Sequence, residues 1–145
     1  MLVIGKSARL VGVDNVHVGS GIGKLAGSVF EVTRLADEMR ESKTKSDKSH
    51  HLLEQNWENK KTVIPVSSGG LHPGNIPEIM GFFGNDVCIQ VGGGVHGHPK
   101  GSHFGAKAAR QAISATLAKV SLPEYARFHP ELKQALDTWG FKHIR

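Results

Sequence analysis

Apolar positions along the chain fall into short blocks whose spacing changes from block to block. Ala8 to Val13 is a brief apolar run and predicts a strand. Asp14 to Gly27 is punctuated by glycine and predicts a loop. Val29 to Met39 puts Val32, Leu35 and Met39 on one face at helical spacing. Glu41 to Ser49 is polar and charged, as a surface loop is, and His50 to Trp57 suits a short helical turn. Thr62 to Ser67 predicts the second strand. Asn75 to Phe83 predicts the second helix, with Ile76, Ile79, Met80 and Phe83 on one side and Gly84 as its stop. Val87 to Val91 predicts the third strand. Phe104 to Val120 predicts the longest helix, alanine-rich, with Ala109, Ile113, Leu117 and Val120 as its buried stripe. After Pro123, Glu124 to Phe128 and Glu131 to Trp139 predict two shorter helical pieces.

Strand followed by helix, three times over, implies parallel βα units in an α/β fold. A closed (β/α)8 barrel has eight such units and about 250 residues. The 145 residues present therefore fit either a small open α/β domain or the last part of a larger barrel. In the second case sheet edges and apolar faces stay uncovered, which predicts self-association of the chain on its own.

Composition narrows the class. Hydrophobic residues make up 39% and charged residues 21%, which suits a globular chain rather than a disordered one. No apolar run approaches the roughly 20 residues a membrane span needs, and Met1 to Gly5 is too short for a signal peptide. The expected location is the cytoplasm. Aromatics are only 6%, too few for a nucleic-acid stacking surface. The net charge of +5 suits an anionic ligand or a solvated basic face; Lys43, Lys45, Lys48, Lys60 and Lys61 supply much of it. The single cysteine, Cys88, lies in an apolar strand pattern and is expected to be a buried, inert thiol.

Two glycine-rich runs carry the candidate chemistry. Ser67-Ser68-Gly69-Gly70-Leu71-His72-Pro73-Gly74 follows the second strand, and Gln90-Val91-Gly92-Gly93-Gly94, leading to His98-Pro99, follows the third. Consecutive glycines at a strand end let backbone N–H groups approach a phosphate with no Cβ in the way. Two such ends in succession suggest neighbouring strands sharing one phosphate. Gly94 fits either this role or a simple chain turn. A third glycine-rich segment, His17 to Gly27, places Lys24 among glycines. It reads as a lid bringing a cation to an anionic substrate, or as a plain surface loop. It fails as a P-loop, because Gly19 and Gly23 are too close and Leu25 stands where a hydroxyl is required. His96, His98 and His103 are close in sequence, but Gly97, Pro99 and Gly101 between them suit a loop rather than a metal site. His72 is expected to position the loop after the second strand. His50 and His51 are expected to face solvent.

Taken together, Arg9-Leu10 through His17 to Gly23-Lys24-Leu25, then Ser68-Gly69-Gly70-Leu71-His72, then Gln90-Val91-Gly92-Gly93-Gly94 with Gly97-His98-Pro99 resemble ribulose-1,5-bisphosphate carboxylase/oxygenase, RuBisCO. The resemblance runs from about Arg9 to about Trp139 and points to the C-terminal part of the large chain. Ser67 to Ile76, Ala109-Arg110-Gln111-Ala112-Ile113 and Leu122-Pro123-Glu124-Tyr125-Ala126 look more like the archaeal type III enzymes than the plant form. The implied fold is the last three βα units, strands six to eight, of a (β/α)8 barrel over residues 1–121, with a helical extension over 122–145.

The resemblance implies roles. His17 would bind one substrate phosphate. Lys24 would stabilise the carboxylation transition state from the lid. Ser68 would hydrogen-bond a substrate hydroxyl. Gly69, Gly70, Gly92 and Gly93 would hold the other phosphate, with Gln90 and Val91 in the same binding stretch. The implied substrates are ribulose-1,5-bisphosphate and carbon dioxide, the products two 3-phosphoglycerates, the cofactor Mg2+ and the state a homo-oligomer. In archaeal relatives this implies nucleotide salvage. The family's base lysine, carbamylated lysine and acidic Mg2+ ligands belong to earlier strands, so no metal ligand is assigned among these residues. The chain is thus expected to need the N-terminal remainder of a large chain for turnover. His96 stands where the family usually has leucine, and Lys100 is unusual in its turn. Alternatives are a non-catalytic sugar-phosphate-binding fragment, part of a RuBisCO-like enolase or isomerase (against which Gly23-Lys24 speaks), and, from charge alone, a nucleic-acid binder.

Overall fold

The structure is a computed structural model and describes residues 1–22 and 28–141. Its first element corrects the sequence reading. Ala8 to Val13 is not a strand: helix α1 spans Leu2–Val11 and ends at Gly12, whose φ of 85° turns the chain out of the helix. The buried positions of α1 are Gly5 and Arg9, and neither registers as apolar in a periodicity count. A Cβ on Gly5 would lie 2.5 Å from Leu35 Cδ1, so glycine is what lets α1 approach the next helix. The first strand, β1 (Asn15–His17), lies inside the stretch expected to be loop. Helix α2 (Val29–Arg40) starts with a capping box, Ser28 accepting from the Glu31 N–H while Glu31 accepts from that of Ser28.

Strands β4 (Ile64–Ser68) and β5 (Cys88–Gln90) complete a parallel sheet in the order β1-β4-β5. His17 pairs with Val66, and Ser68 with Gln90. Side chains alternate across the sheet. Val16, Val18 and Ile89 pack into the core against Val32, Leu35 and Ile79. Asn15, His17, Ile64, Ser68, Cys88 and Gln90 fall on the opposite face. Cys88 is accordingly exposed rather than buried.

Helix α3 (Ile76–Phe83) buries Ile76, Ile79 and Phe83, as expected. A short helix, α4 (Gly92–His96), follows β5 where no element was expected. Helix α5 (Ser102–Leu117) corrects the expected stripe. It buries Gly105, Ala108, Ala109, Ala112 and Ala115, while Leu117 is 52% exposed. Small side chains win that face because backbone is close: a Cβ on Gly105 would collide with the Val95 carbonyl of α4. Helices α6 (Leu122–Tyr125) and α7 (Pro130–Trp139) pack Leu122 and Leu132 onto this alanine face. On α7, Glu131 accepts from Gln111 Nε2 at 2.9 Å and Lys107 Nζ at 3.2 Å. The Gln111 bond, the Glu131 backbone N–H and Lys107 lower its pKa from 4.5 to about 2.

The segment between α2 and β4 also departs from expectation. Thr44 is buried, Lys43–Thr44 (β2) pairs antiparallel with Gln55–Asn56 (β3), and no helical turn forms over 50–57. Arg9 anchors it. Its guanidinium is 1% exposed, donates to the carbonyls of Glu38, Glu41, Lys60 and Lys61, and lies 4.4 Å from the Trp57 ring centroid. Desolvation lowers its pKa, with Glu38 and Glu41 opposing. Apolar side chains remain exposed on α1, Val3 and Val11 among them. Among the described residues no helix is long and apolar enough to cross a membrane.

Replacing Arg9 by methionine orphans buried carbonyls; urea unfolding should show a loss of about 3 kcal/mol. Glu131 is predicted to shape acid unfolding. Because its folded-state pKa is depressed, its stabilisation is full above pH 4.5 and disappears as pH falls toward 2. The chain with Glu131→Gln should lose stability less steeply across that window in acid titrations followed by circular dichroism.

Candidate functional site

All three parallel strands end on the same side, so their C-terminal residues converge. His17 Nδ1 lies 2.9 Å from Ser68 Oγ, and Ser68 is in register with Gln90. The three polar side chains thus form a row across the strand ends on the face that the helices do not cover. β4 runs straight into Gly69 and Gly70, with φ of 118° and 70°. These values favour glycine strongly. The turn they make exposes backbone beside Ser68.

β5 runs through Val91 into α4. The first helical bond there joins Val95 N–H to Val91 C=O, so the N–H groups of Gly92, Gly93 and Gly94 lie ahead of the helical bonding pattern. A Cβ on Gly92 or Gly93 would meet nothing within 4 Å: this side of α4 is open. Gly94 differs. A Cβ there would lie 2.6 Å from His72 Cα and 2.9 Å from the Leu71 carbonyl oxygen. Gly94 is therefore a close-approach residue within α4 rather than a chain turn, and it holds α4 against the loop that follows β4. His72 is fully buried; its Nδ1 accepts from Gly74 N–H at 3.2 Å and its own N–H donates to Asn75 Oδ1 at 3.1 Å.

His17, Ser68, Gly69, Gly70, Gln90, Val91, Gly92 and Gly93 are thus gathered at one end of the sheet. Lys24 lies outside the described residues. The remaining histidines do other things. His96 Nδ1 bonds Ser102 Oγ at 2.9 Å. His98 is buried, donating from Nε2 to the Glu131 carbonyl at 3.1 Å and accepting the Lys100 N–H at Nδ1. His50 and His51 are exposed. Among the described residues no three His, Cys, Asp or Glu side chains cluster as a metal would require. A cleft of about 720 Å³ between α1, α2 and the 47–52 segment is lined by Leu2, Phe30, Leu35 and His50. It includes none of the strand-end residues and plays no part in this site.

A parallel sheet with helices packed on one face, whose strands end in polar side chains and glycines, places the chain among the α/β proteins. Comparison with known proteins specifies which. Residues 1–139 match the family described as ribulose bisphosphate carboxylase large chain, catalytic domain, and the chain belongs to that family. It is 46% identical over 139 residues to the ribulose bisphosphate carboxylase of Methanosarcina mazei and 48% identical over 141 residues to that of Pyrococcus furiosus. These alignments cover 96% and 97% of this chain but only 32% and 30% of the relatives. The chain thus spans about a third of the length of the curated relatives it matches. Among solved structures, an archaeal RuBisCO superposes with a TM-score of 0.89 at 43% identity, covering 98% of this chain and 33% of that one. The dimeric archaeal RuBisCO of Hyperthermus butylicus superposes with a TM-score of 0.87 at 47% identity, covering 95% and 32%.

The contrast between neighbouring glycines is testable. Gly94→Ala must push α4 away from His72, and thermal unfolding should show a loss of about 2 kcal/mol. Gly92→Ala and Gly93→Ala meet no obstacle and should leave the melting temperature unchanged or slightly raised.

Proposed function

We propose that this chain supplies strands six to eight and their helices (residues 1–121), with a helical extension over 122–145, to a ribulose bisphosphate carboxylase barrel, and that its strand ends bind ribulose-1,5-bisphosphate. The observation that carries this reading is the convergence of His17, Ser68 and Gln90 in one row, flanked by two loops whose glycines leave their amides accessible. In this reading Gly69, Gly70, Gly92 and Gly93 donate N–H bonds to one phosphate, with Gln90 and Val91 shaping the same stretch. His17 serves the other phosphate, and Ser68, within reach of His17, bonds a substrate hydroxyl. Fixed amides at a phosphate cost no reorganisation when the ligand arrives. Lys24 carries a positive charge to the carboxylate that forms when carbon dioxide adds to the substrate.

The Mg2+ that the family implies has no donor set among the described residues. Its ligands and the base for enolisation belong, in this reading, to the remainder of the large chain. The complete assembly would convert ribulose-1,5-bisphosphate, carbon dioxide and water to two 3-phosphoglycerates, within nucleotide salvage in archaeal-type relatives. A homo-oligomer in the cytoplasm is part of the same proposal. A second reading, sugar-phosphate binding without turnover, rests on the strand-end residues of this chain by themselves.

The test is a titration of the 15N-labelled chain with ribulose-1,5-bisphosphate. Amide resonances of Gly69, Gly70, Gly92 and Gly93 should shift together and saturate, and Gly93→Val should weaken binding about tenfold or more by blocking the amide. Saturable binding that persists unchanged in Gly93→Val, or shifts confined to other residues, overturns the assignment. Turnover on mixing with the N-terminal remainder of a relative's large chain, carbon dioxide and Mg2+ separates the carboxylase from the second reading.

A further inference from the structure

The two glycine loops are joined by one side chain that neither contains. Trp139, at the end of α7, stacks on the buried His72 ring with centroids 5.8 Å apart and planes 24° apart. The same indole meets His98 edge-on at 6.5 Å and 63°. It also reaches Gly97: a Cβ on Gly97 would lie 3.4 Å from Trp139 Cζ2. His72 closes the loop after β4, while Gly97 and His98 follow α4. One ring therefore touches the trailing end of both.

Its own placement is fixed at both ends of α7. At the start, His98 Nε2 donates to the Glu131 carbonyl. At the end, Gly140 presses against Gly74, where any Cβ would collide with the Gly140 carbonyl. On the far side, Gly94 rests on His72 Cα. α4, His72 and Trp139 thus form a stack running from the open glycine amides to the C-terminal helix. Gly94 against His72 and Gly74 against Gly140 leave no room for a methyl group, and close-packed contacts of this kind do not deform continuously. Losing the indole removes the ring on which His72 stacks and opens space beside Gly97, and with these supports goes the spacing between Gly69-Gly70 and Gly92-Gly93.

We propose that Trp139 is a positioning residue that sets this spacing, and so governs phosphate affinity without touching the ligand. The ligand part rests on the phosphate reading above; the spacing part does not. In the 145-residue chain, Trp139→Ala should weaken ribulose-1,5-bisphosphate binding about tenfold in calorimetry, the equivalent of one misaligned charge-assisted hydrogen bond. It should also speed amide hydrogen exchange at His72, Gly74, Val95 and Gly97, whose N–H groups are hydrogen-bonded at the base of the two loops. Trp139→Phe, which keeps a ring for His72, should stay within about twofold of the wild type in both readouts. Leu132→Val, on the same helix but in the alanine-lined core, should lower the melting temperature and move neither. If Trp139→Ala does not fold, Trp139→Leu, which keeps apolar volume but no ring, carries the same expectation.

Wild-type affinity together with wild-type exchange in a folded Trp139→Ala or Trp139→Leu chain overturns the proposal. So does an equal loss in Leu132→Val, which would make the effect one of stability alone. If the wild type binds no bisphosphate, the phosphate reading fails, and exchange at His72, Gly74, Val95 and Gly97 alone decides whether Trp139 sets the spacing.

Discussion

Parallel pairing of β4 with β1 on one side and β5 on the other brings the three carboxyl ends to one side of the sheet, and the rest of the site follows from that register. Because side chains alternate, Val16, Val18 and Ile89 face the helices while His17, Ser68 and Gln90 face away from them. Packing and chemistry are divided between two faces of one short sheet. A slip of one residue in β4 would exchange Ser68 for Ser67 and turn the site's hydroxyl into the core. The apolar helix-side residues therefore do more than stabilise. They fix which polar atoms meet at the strand ends.

The second constraint is distance between backbones. α1 approaches α2 at Gly5, α4 meets the loop after β4 at Gly94, and α5 meets α4 at Gly105. Each contact leaves no room for a side chain. Glycine thus has two different functions in the same chain. At Gly69 and Gly70 it permits a backbone geometry, and at Gly94 it permits contact. Gly92 and Gly93, three residues or fewer away from a contact glycine, are in open space, which suits an exposed binding surface rather than a packed one.

Much of this was legible in the sequence, for physical reasons that also explain the gaps. Apolar periodicity found α2 and α3 because Val32, Leu35, Met39, Ile76, Ile79 and Phe83 are large and buried. It missed α1, whose buried positions are a glycine and an arginine, and found only part of the buried face of α5, where Ala109 is buried and Ile113 packs partly on the core but alanines take the place given to Leu117. β1 is three residues long and holds one apolar residue, Val16, between Asn15 and His17, so its pairing with β4 decides its state, not its composition. The apolar neighbours of Cys88 suggest burial, yet alternation puts it on the uncovered face with Gln90. The candidate site was more legible than the packing. Its residues are glycines and polar groups at strand ends, and motif spacing marks those directly. Trp139 left no such mark, since a tryptophan late in a helical pattern says only that something large is accommodated.

Arg9 draws nearly all its partners from main-chain oxygens: Glu38, Glu41, Lys60 and Lys61 each offer a carbonyl, and only Trp57 contributes a ring. A grip of this kind reads the path of the chain and is indifferent to the identity of the residues along it. Between residues 41 and 61, then, evolution is free to rewrite charge and polarity at the surface. What it must preserve is the contour itself, and above all one guanidinium and one indole.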